Sequence, residues 1–368
     1  MSFRPPTPPS KAPWEDEDFR FMRNGTACEW GEAYHPGGYH PVHLGDVIQE
    51  RYRIMRKVGW GQYSTVWLAV DMKLARYVSL KITLATQPQT TSREVSLYKS
   101  YLQNSCPGLV TLYDIIKITG PNGEHDGLVF ETMGPDLTTL LRMRQEFQLG
   151  KPWERRFTKS FARKALLNTI QALHRLHERD IIHCDLHYVV LRAPEIILGG
   201  LLCKGIDIWA FGCLIFEMIF GRPLFVAIQS LEGQDYDETS NDEHLIQLWE
   251  VIGPLPKSLL EKWRRADGYF DSGGYRLGIK SQEDEHISGG DDKDLSYGMD
   301  EENDGPPLAD PGQFLSLEDL IMTKSPGDID EAESQELLGL LRWVFQYDPA
   351  HRPSATDLIN HPWLRSTS

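Results

Sequence analysis

The chain has 368 residues, 40% hydrophobic and 25% charged, with a formal net charge of −15. Such a length suits two lobes of ordinary globular composition. The acidic balance argues against direct nucleic-acid binding and favours a basic protein as partner. The longest charge-free stretch of the most apolar region, Ile208 to Phe216, is too short to cross a bilayer.

Cysteines at 28, 106, 184, 203 and 213 form no C-x-x-C pair, which points to a reducing compartment and away from a disulfide framework or zinc site. Residues 1–33 carry prolines at 5, 6, 8, 9 and 13, no apolar signal core and little apolar periodicity, and are expected to be a flexible tail. From 52 to about 83 the pattern is strand-like. Tyr52–Met55, Thr65–Val70 and Tyr77–Ile82 are β-branched and aromatic runs separated by turn signals. Thr91 to Leu102 suits a short helix, whereas Leu109–Tyr113 and Gly127–Phe130 look extended.

Beyond about 136 the signal turns helical. Ala162, Leu166, Ile170, Leu173 and Leu176 fall at steps of four, four, three and three, which is one helix face. Ile206 to Phe220 is apolar nearly all round, as a buried helix is. Residues 281–310 hold eleven acidic side chains against one lysine and are expected to stay solvated and disordered. The expected fold is α+β and two-lobed: a small antiparallel β lobe over 34–133 and a larger, mainly helical lobe over 134–365. A cleft between such lobes is where a ligand is expected.

Val58-Gly59-Trp60-Gly61-Gln62-Tyr63-Ser64-Thr65-Val66 matches the phosphate-covering G-x-G-x-x-G-x-V pattern except at Ser64. Glycine at 59 and 61 lets backbone N–H groups approach phosphate oxygens with no Cβ in the way. By itself a glycine-rich hairpin turn would look the same. Two residues further along the chain add weight by their order: Lys81 sits on the strand that should face the phosphates, and Glu94 on the next helix can pair with its ammonium. His183-Cys184-Asp185 then supplies the core of a catalytic loop, with Asp185 placed to accept a substrate hydroxyl proton. We expect its own backbone contacts to keep Asp185 ionised. Ala193-Pro194-Glu195 comes next, with Arg352 as the expected salt-bridge partner of Glu195. Asp207, in Asp207-Ile208-Trp209-x-x-Gly212, is expected to brace the catalytic-loop backbone. For Glu195, Asp207 and Arg352 the expected role is structural.

These pieces resemble the protein-kinase signature set. Tyr39-His40-Pro41-Val42-x-Leu44-Gly45-Asp46, Arg51-Tyr52 and Lys57 through Ala69 resemble the opening of an SR-protein kinase, a family in which Ser64 is the usual departure from glycine. The likeness covers about residues 34–365, and the family's long spacer between lobes is absent. It implies an ATP-dependent serine/threonine kinase acting on Arg/Ser-rich splicing factors, monomeric, without a membrane, and found in cytoplasm and nucleus. It also implies nucleotide contacts from Val58, Gly59, Gly61, Ser64, Val66, Lys81, Glu94, Glu131 and Met133, with Lys81 and Asp185 as catalytic residues. The family's acidic docking groove maps onto Glu232, Asp235, Asp237, Glu238, Asp242 and Glu243, although a solvated acidic loop would read alike.

One block is missing. Only nine positions separate Asp185 from Glu195. Val190 stands where the magnesium-binding Asn belongs, His187 replaces the usual Lys, and no Asp-Phe-Gly appears downstream. The join falls after His187, so Mg²⁺, expected for the family, lacks its usual ligands and no metal site is assigned. Nine extended residues span about 30 Å, enough to reconnect the lobe. Three readings are open: a kinase sequence left incomplete by a skipped exon or mis-drawn intron, a pseudokinase that captures Arg-rich partners, or slow transfer using Lys81 and Asp185.

Overall fold

A computed structural model describes residue 29 and residues 31–86, 89–101, 108–137, 139–140, 156–186, 192–226, 236–271, 273–274, 276–277 and 315–366. Of 89–92, 100–101 and 236–238 it describes the backbone alone. Residues 1–28 of the proline-rich tail, the join at 187–191 and the acidic stretch 281–310 lie outside them. The chain divides into two units between Pro135 and Asp136.

In the first unit, alternation of side chains along each strand builds one antiparallel sheet with strand order β1-β2-β3-β4-β6-β5. The strands are β1 (Val47–Ile48), β2 (Tyr52–Gly61), β3 (Ser64–Asp71), β4 (Arg76–Thr83), β5 (Leu112–Gly120) and β6 (Gly123–Phe130). Tyr52 and Ile54, Trp67 and Ala69, and Val78, Leu80 and Ile82 share one core with Ile118 and Val129. Leu128 and Phe130 pack instead against Val95 of helix α1 (Gln89–Tyr101), and Tyr98 meets the Phe130 ring edge-on at 5.2 Å. Strand β5 starts only at Leu112, later than the apolar run from Leu109 suggests. At the end of the stretch read as a tail, Gly31–Ala33 form a 3₁₀ turn with Glu32 buried.

The second unit is helical: α2 (Lys159–His177), α3 (Pro194–Ile197), α4 (Lys204–Phe220), α5 (Tyr236–Ile252), α6 (Lys257–Leu260), α7 (Leu317–Lys324), α8 (Glu331–Val344), α9 (Ala355–Asn360) and α10 (Pro362–Arg365). The face of α2 formed by Ala162, Leu166, Ile170, Leu173 and Leu176 is buried, as its spacing requires. Helix α4 is buried on nearly every side and ends on Gly221 in the left-handed conformation, where glycine has no Cβ penalty. Among the described residues no helix is long and apolar enough to cross a membrane.

Gly212 sets how closely α4 approaches the end of α8. A Cβ at that position would lie 2.4 Å from Val344 Cγ1 and 2.9 Å from the Phe345 ring. Gly212→Ala should therefore overpack this contact and destabilise the protein by about 1–3 kcal/mol. Urea unfolding that leaves the midpoint unmoved would disprove this account of the packing.

Candidate functional site

In the first unit the strand register assembles the expected phosphate-facing residues. Gly59 pairs with Val66 across β2 and β3, and Val66 with Lys81 across β3 and β4. Residues directly opposite in neighbouring strands point to the same face, so Gly59, Val66 and Lys81 form one row. Helix α1 lies over that face through Val95, which brings Glu94 to Lys81. The Lys81 Nζ donates to both carboxylate oxygens of Glu94, at 2.7 and 2.8 Å. Both side chains remain partly open to solvent, so the pair sets geometry more than stability.

The glycine hairpin turns at Gln62-Tyr63 between Gly61 and Ser64. A Cβ added at Gly59 or Gly61 would meet no atom within 4 Å, so open space lies beside both backbones. Ser64 is buried and Val58 exposed. The Glu131 carboxylate accepts from the Thr111 amide at 2.7 Å, tying the chain ahead of β5 to the end of β6. Met133 is 61% exposed.

In the second unit the brace is Asp207, one turn into α4 and fully buried. One oxygen accepts from the His183 amide and from His177 Nε2, each at 2.8 Å. The other accepts from the Cys184 amide at 2.9 Å. Cys184 has φ +62°, a left-handed conformation that a non-glycine residue holds only when its surroundings enforce it. Here the two hydrogen bonds that the His183 and Cys184 amides donate to Asp207 supply that enforcement. Asp185 comes next with an exposed side chain, its own amide donating to His183 Nδ1 at 3.3 Å. Among the described residues its carboxylate takes no hydrogen bond. The expected backbone contacts belong to Asp207 instead, because the two aligned amides precede Asp185.

Glu195 and Arg352 form a buried bidentate pair at 2.6 and 2.8 Å. The guanidinium also donates to the carbonyls of Gly205, Gln346 and Tyr347 and lies over the Trp209 ring. All five of its N–H donors are thus used.

The acidic docking patch needs correction. Asp242 is only 5% exposed. It accepts from Trp263 Nε1 at 2.7 Å and pairs with Arg265 at 2.6 Å, so it holds an internal corner rather than facing a partner. Beside it, burial and the Asp242 charge push the Glu243 carboxyl upward. Asp237 and Glu238 lie on α5 with side chains outside the described residues, as are Glu232 and Asp235 entirely.

Sequence reasoning missed two contributors. His177 as a ligand of Asp207 carried no signal beyond a polar residue ending an apolar helix face. Tyr39, quoted only as part of a family motif, places its hydroxyl 2.7 Å from the Gly61 carbonyl.

Comparison with known proteins fits this geometry. The protein kinase domain is matched twice, over residues 52–189 and 188–364. The chain belongs to the protein kinase family. The two matches meet where the sequence places its missing block. A serine/threonine-protein kinase SRPK of Physarum polycephalum is 26% identical over 425 residues, covering 91% of each chain. That alignment is longer than the 368-residue chain, so it includes positions that only the relative fills. SRSF protein kinase 3 of Homo sapiens is 36% identical over 181 residues, 47% of this chain and 29% of the relative. A crystallised kinase domain matches with TM-score 0.61 at 17% identity, covering 89% of this chain and 99% of its own, which supports the two-lobed α+β kinase fold. By family the protein is a serine/threonine kinase of SR-protein kinase type.

Within this kinase, Arg352→Met would strand the Glu195 carboxylate and three carbonyls. It should cost about 3–5 kcal/mol in chemical denaturation, and an unchanged midpoint would rule out the anchoring role. Two histidines give a pH effect. Burial lowers His244, which donates to the Arg192 carbonyl at 3.0 Å, to about 4. Burial and the neighbouring His125 lower His40 to about 4 as well. Both are bases depressed on folding. Their contribution is full above the unfolded value near 6.5 and is lost as pH falls toward 4, by on the order of 1 kcal/mol per group per pH unit. Denaturation midpoints should fall across that window, and less steeply in His244→Gln.

Proposed function

We propose that this chain keeps the nucleotide-holding half of an SR-protein-kinase site and transfers phosphate poorly, with basic Arg/Ser-rich proteins as its partners. The observation that carries this reading is the Lys81–Glu94 pair, formed with both oxygens. It holds an ammonium in the row of Gly59 and Val66, where ATP phosphates would find one fixed cation and the hairpin backbone. The open space beside Gly59 and Gly61 fits a phosphate chain. In this reading Asp185 would orient a serine hydroxyl, and its exposed side chain suits that task.

The residues present do not fit the family's magnesium. Val190 occupies the Asn position and the chain contains no Asp-Phe-Gly. Phosphoryl transfer relies on positioning and charge stabilisation, and loss of one well-aimed electrostatic group typically costs about 10²–10³ in rate. The same two losses favour a second reading, a binding protein that captures Arg-rich partners without phosphorylating them.

Thermal unfolding of the full chain tests the nucleotide half, since a ligand that binds only the folded state stabilises it. ATP should raise the midpoint, magnesium should add little, and Lys81→Met should remove the shift. A wild-type protein unmoved by millimolar ATP would end the proposal. For the transfer half, labelled phosphate should enter an Arg-Ser peptide at least about 10²–10³ more slowly than with a kinase possessing both metal ligands. Vigorous incorporation abolished by Lys81→Met would overturn this.

A further inference from the structure

Residues 31–51 precede the matched kinase domain, which begins at residue 52, yet their first part is bonded to the glycine hairpin. We infer that Tyr39 is a positioning residue for that hairpin and that the segment 31–42 is a strap setting where the turn sits. The inference rests on the reading of Gly59–Ser64 as a phosphate-binding turn.

Tyr39 is 6% exposed, with its ring against Tyr34 at 5.5 Å. Its hydroxyl donates to the Gly61 carbonyl at 2.7 Å, with the Gln62 carbonyl at 3.4 Å. Its backbone is fixed at both ends. The amide donates to the Ala33 carbonyl at 3.0 Å, and the carbonyl accepts from Asn122 Nδ2 at 2.6 Å. Gly37 donates to the Asn122 carbonyl at 2.8 Å, while the amides of Ala85 and Thr86 donate to Gly38 and Gly37 at 3.1 and 2.9 Å. The strap is therefore stitched to the end of β4 and to the β5–β6 turn. Its glycines are required: Gly37 has φ +89°, and a Cβ on Gly38 would lie 2.1 Å from the Ala33 carbonyl. Near its start, Glu29 accepts from Lys57 of β2 and from the Tyr34 hydroxyl.

Peptide planarity carries the consequence to the hairpin. In a trans peptide the C=O and the next N–H point in opposite directions. Holding the Gly61 carbonyl on Tyr39 thus aims the Gln62 amide away from the strap. Amides at this turn are the groups a phosphate would meet, so the strap presets their direction.

Amide hydrogen exchange on the ligand-free full chain tests the latch directly. Tyr39→Phe keeps the ring and removes the hydroxyl. Amides of 59–64 should exchange roughly three- to ten-fold faster, as loss of one hydrogen bond allows, with the β5–β6 turn unchanged. Unchanged exchange at 59–64 would overturn the inference. Where wild-type protein binds ATP, the variant should weaken ATP by a similar factor and leave adenosine, which lacks phosphates, unaffected. Equal weakening of both ligands would make Tyr39 a general structural residue and sink its positioning role. Wild-type protein that binds no ATP would end the nucleotide reading, while the exchange result would still decide the latch.

Discussion

The carboxylate of Asp207 is the constraint on which the second unit turns. It is buried at the start of α4, and its oxygens face two consecutive backbone amides and one histidine. A carboxylate removed from water must be compensated by donors, and His183 and Cys184 provide them only if the chain bends into the left-handed conformation at Cys184. The position of Asp185 is thus a by-product of satisfying a neighbour's charge. Among the described residues, the donors to Asp207 (His177, His183 and Cys184) all precede the join.

The same stretch of α4 anchors the far side of the missing block. Arg352 bonds the Gly205 carbonyl and lies over Trp209 while it grips Glu195. Gly205 and Trp209 are four residues apart, about 6 Å along a helix axis. Both flanks of the join are therefore pinned to just over one turn of one buried helix. The residues between have far more reach than that geometry demands. Each flank therefore keeps its own anchor, Asp185 through Asp207 and Glu195 through Arg352, without help from the short segment between them.

How much was legible depends on whether a feature is local. The α2 face showed in the three-and-four spacing of Ala162 to Leu176, and α4 in its unbroken apolar run, because helical burial repeats within a few residues. Lys81, Glu94, Glu195, Asp207 and Arg352 were legible as an ordered series of motifs. Asp242 was misread because a charge in an acidic run is usually solvated. The residues that bury it, Trp263 and Arg265, arrive 21 and 23 positions later and carry no local mark. Tyr39 was hidden for the same reason: its partner Gly61 comes 22 positions later at the end of β2, and only the folded chain shows that its hydroxyl reaches it. The late start of β5 reflects strand pairing, which begins at Leu112 with Phe130 and which propensity does not encode.

Nucleotide binding and phosphoryl transfer make different demands, and the proposed function rests on that difference. Binding needs a fixed cation and backbone donors, and in the first unit β2, β3, β4 and α1 bring Lys81, paired with Glu94, into one row with Gly59 and Val66. Transfer also needs charge stabilisation that tracks the moving phosphoryl group. In the family that stabilisation is delivered by a metal whose usual holders are absent from this sequence. Lys81 cannot substitute for both roles, because its ammonium is committed to two Glu94 oxygens and only its remaining proton is available to a phosphate. On the proposed reading, a chain built this way keeps the electrostatics for holding a phosphate and lacks those for moving one.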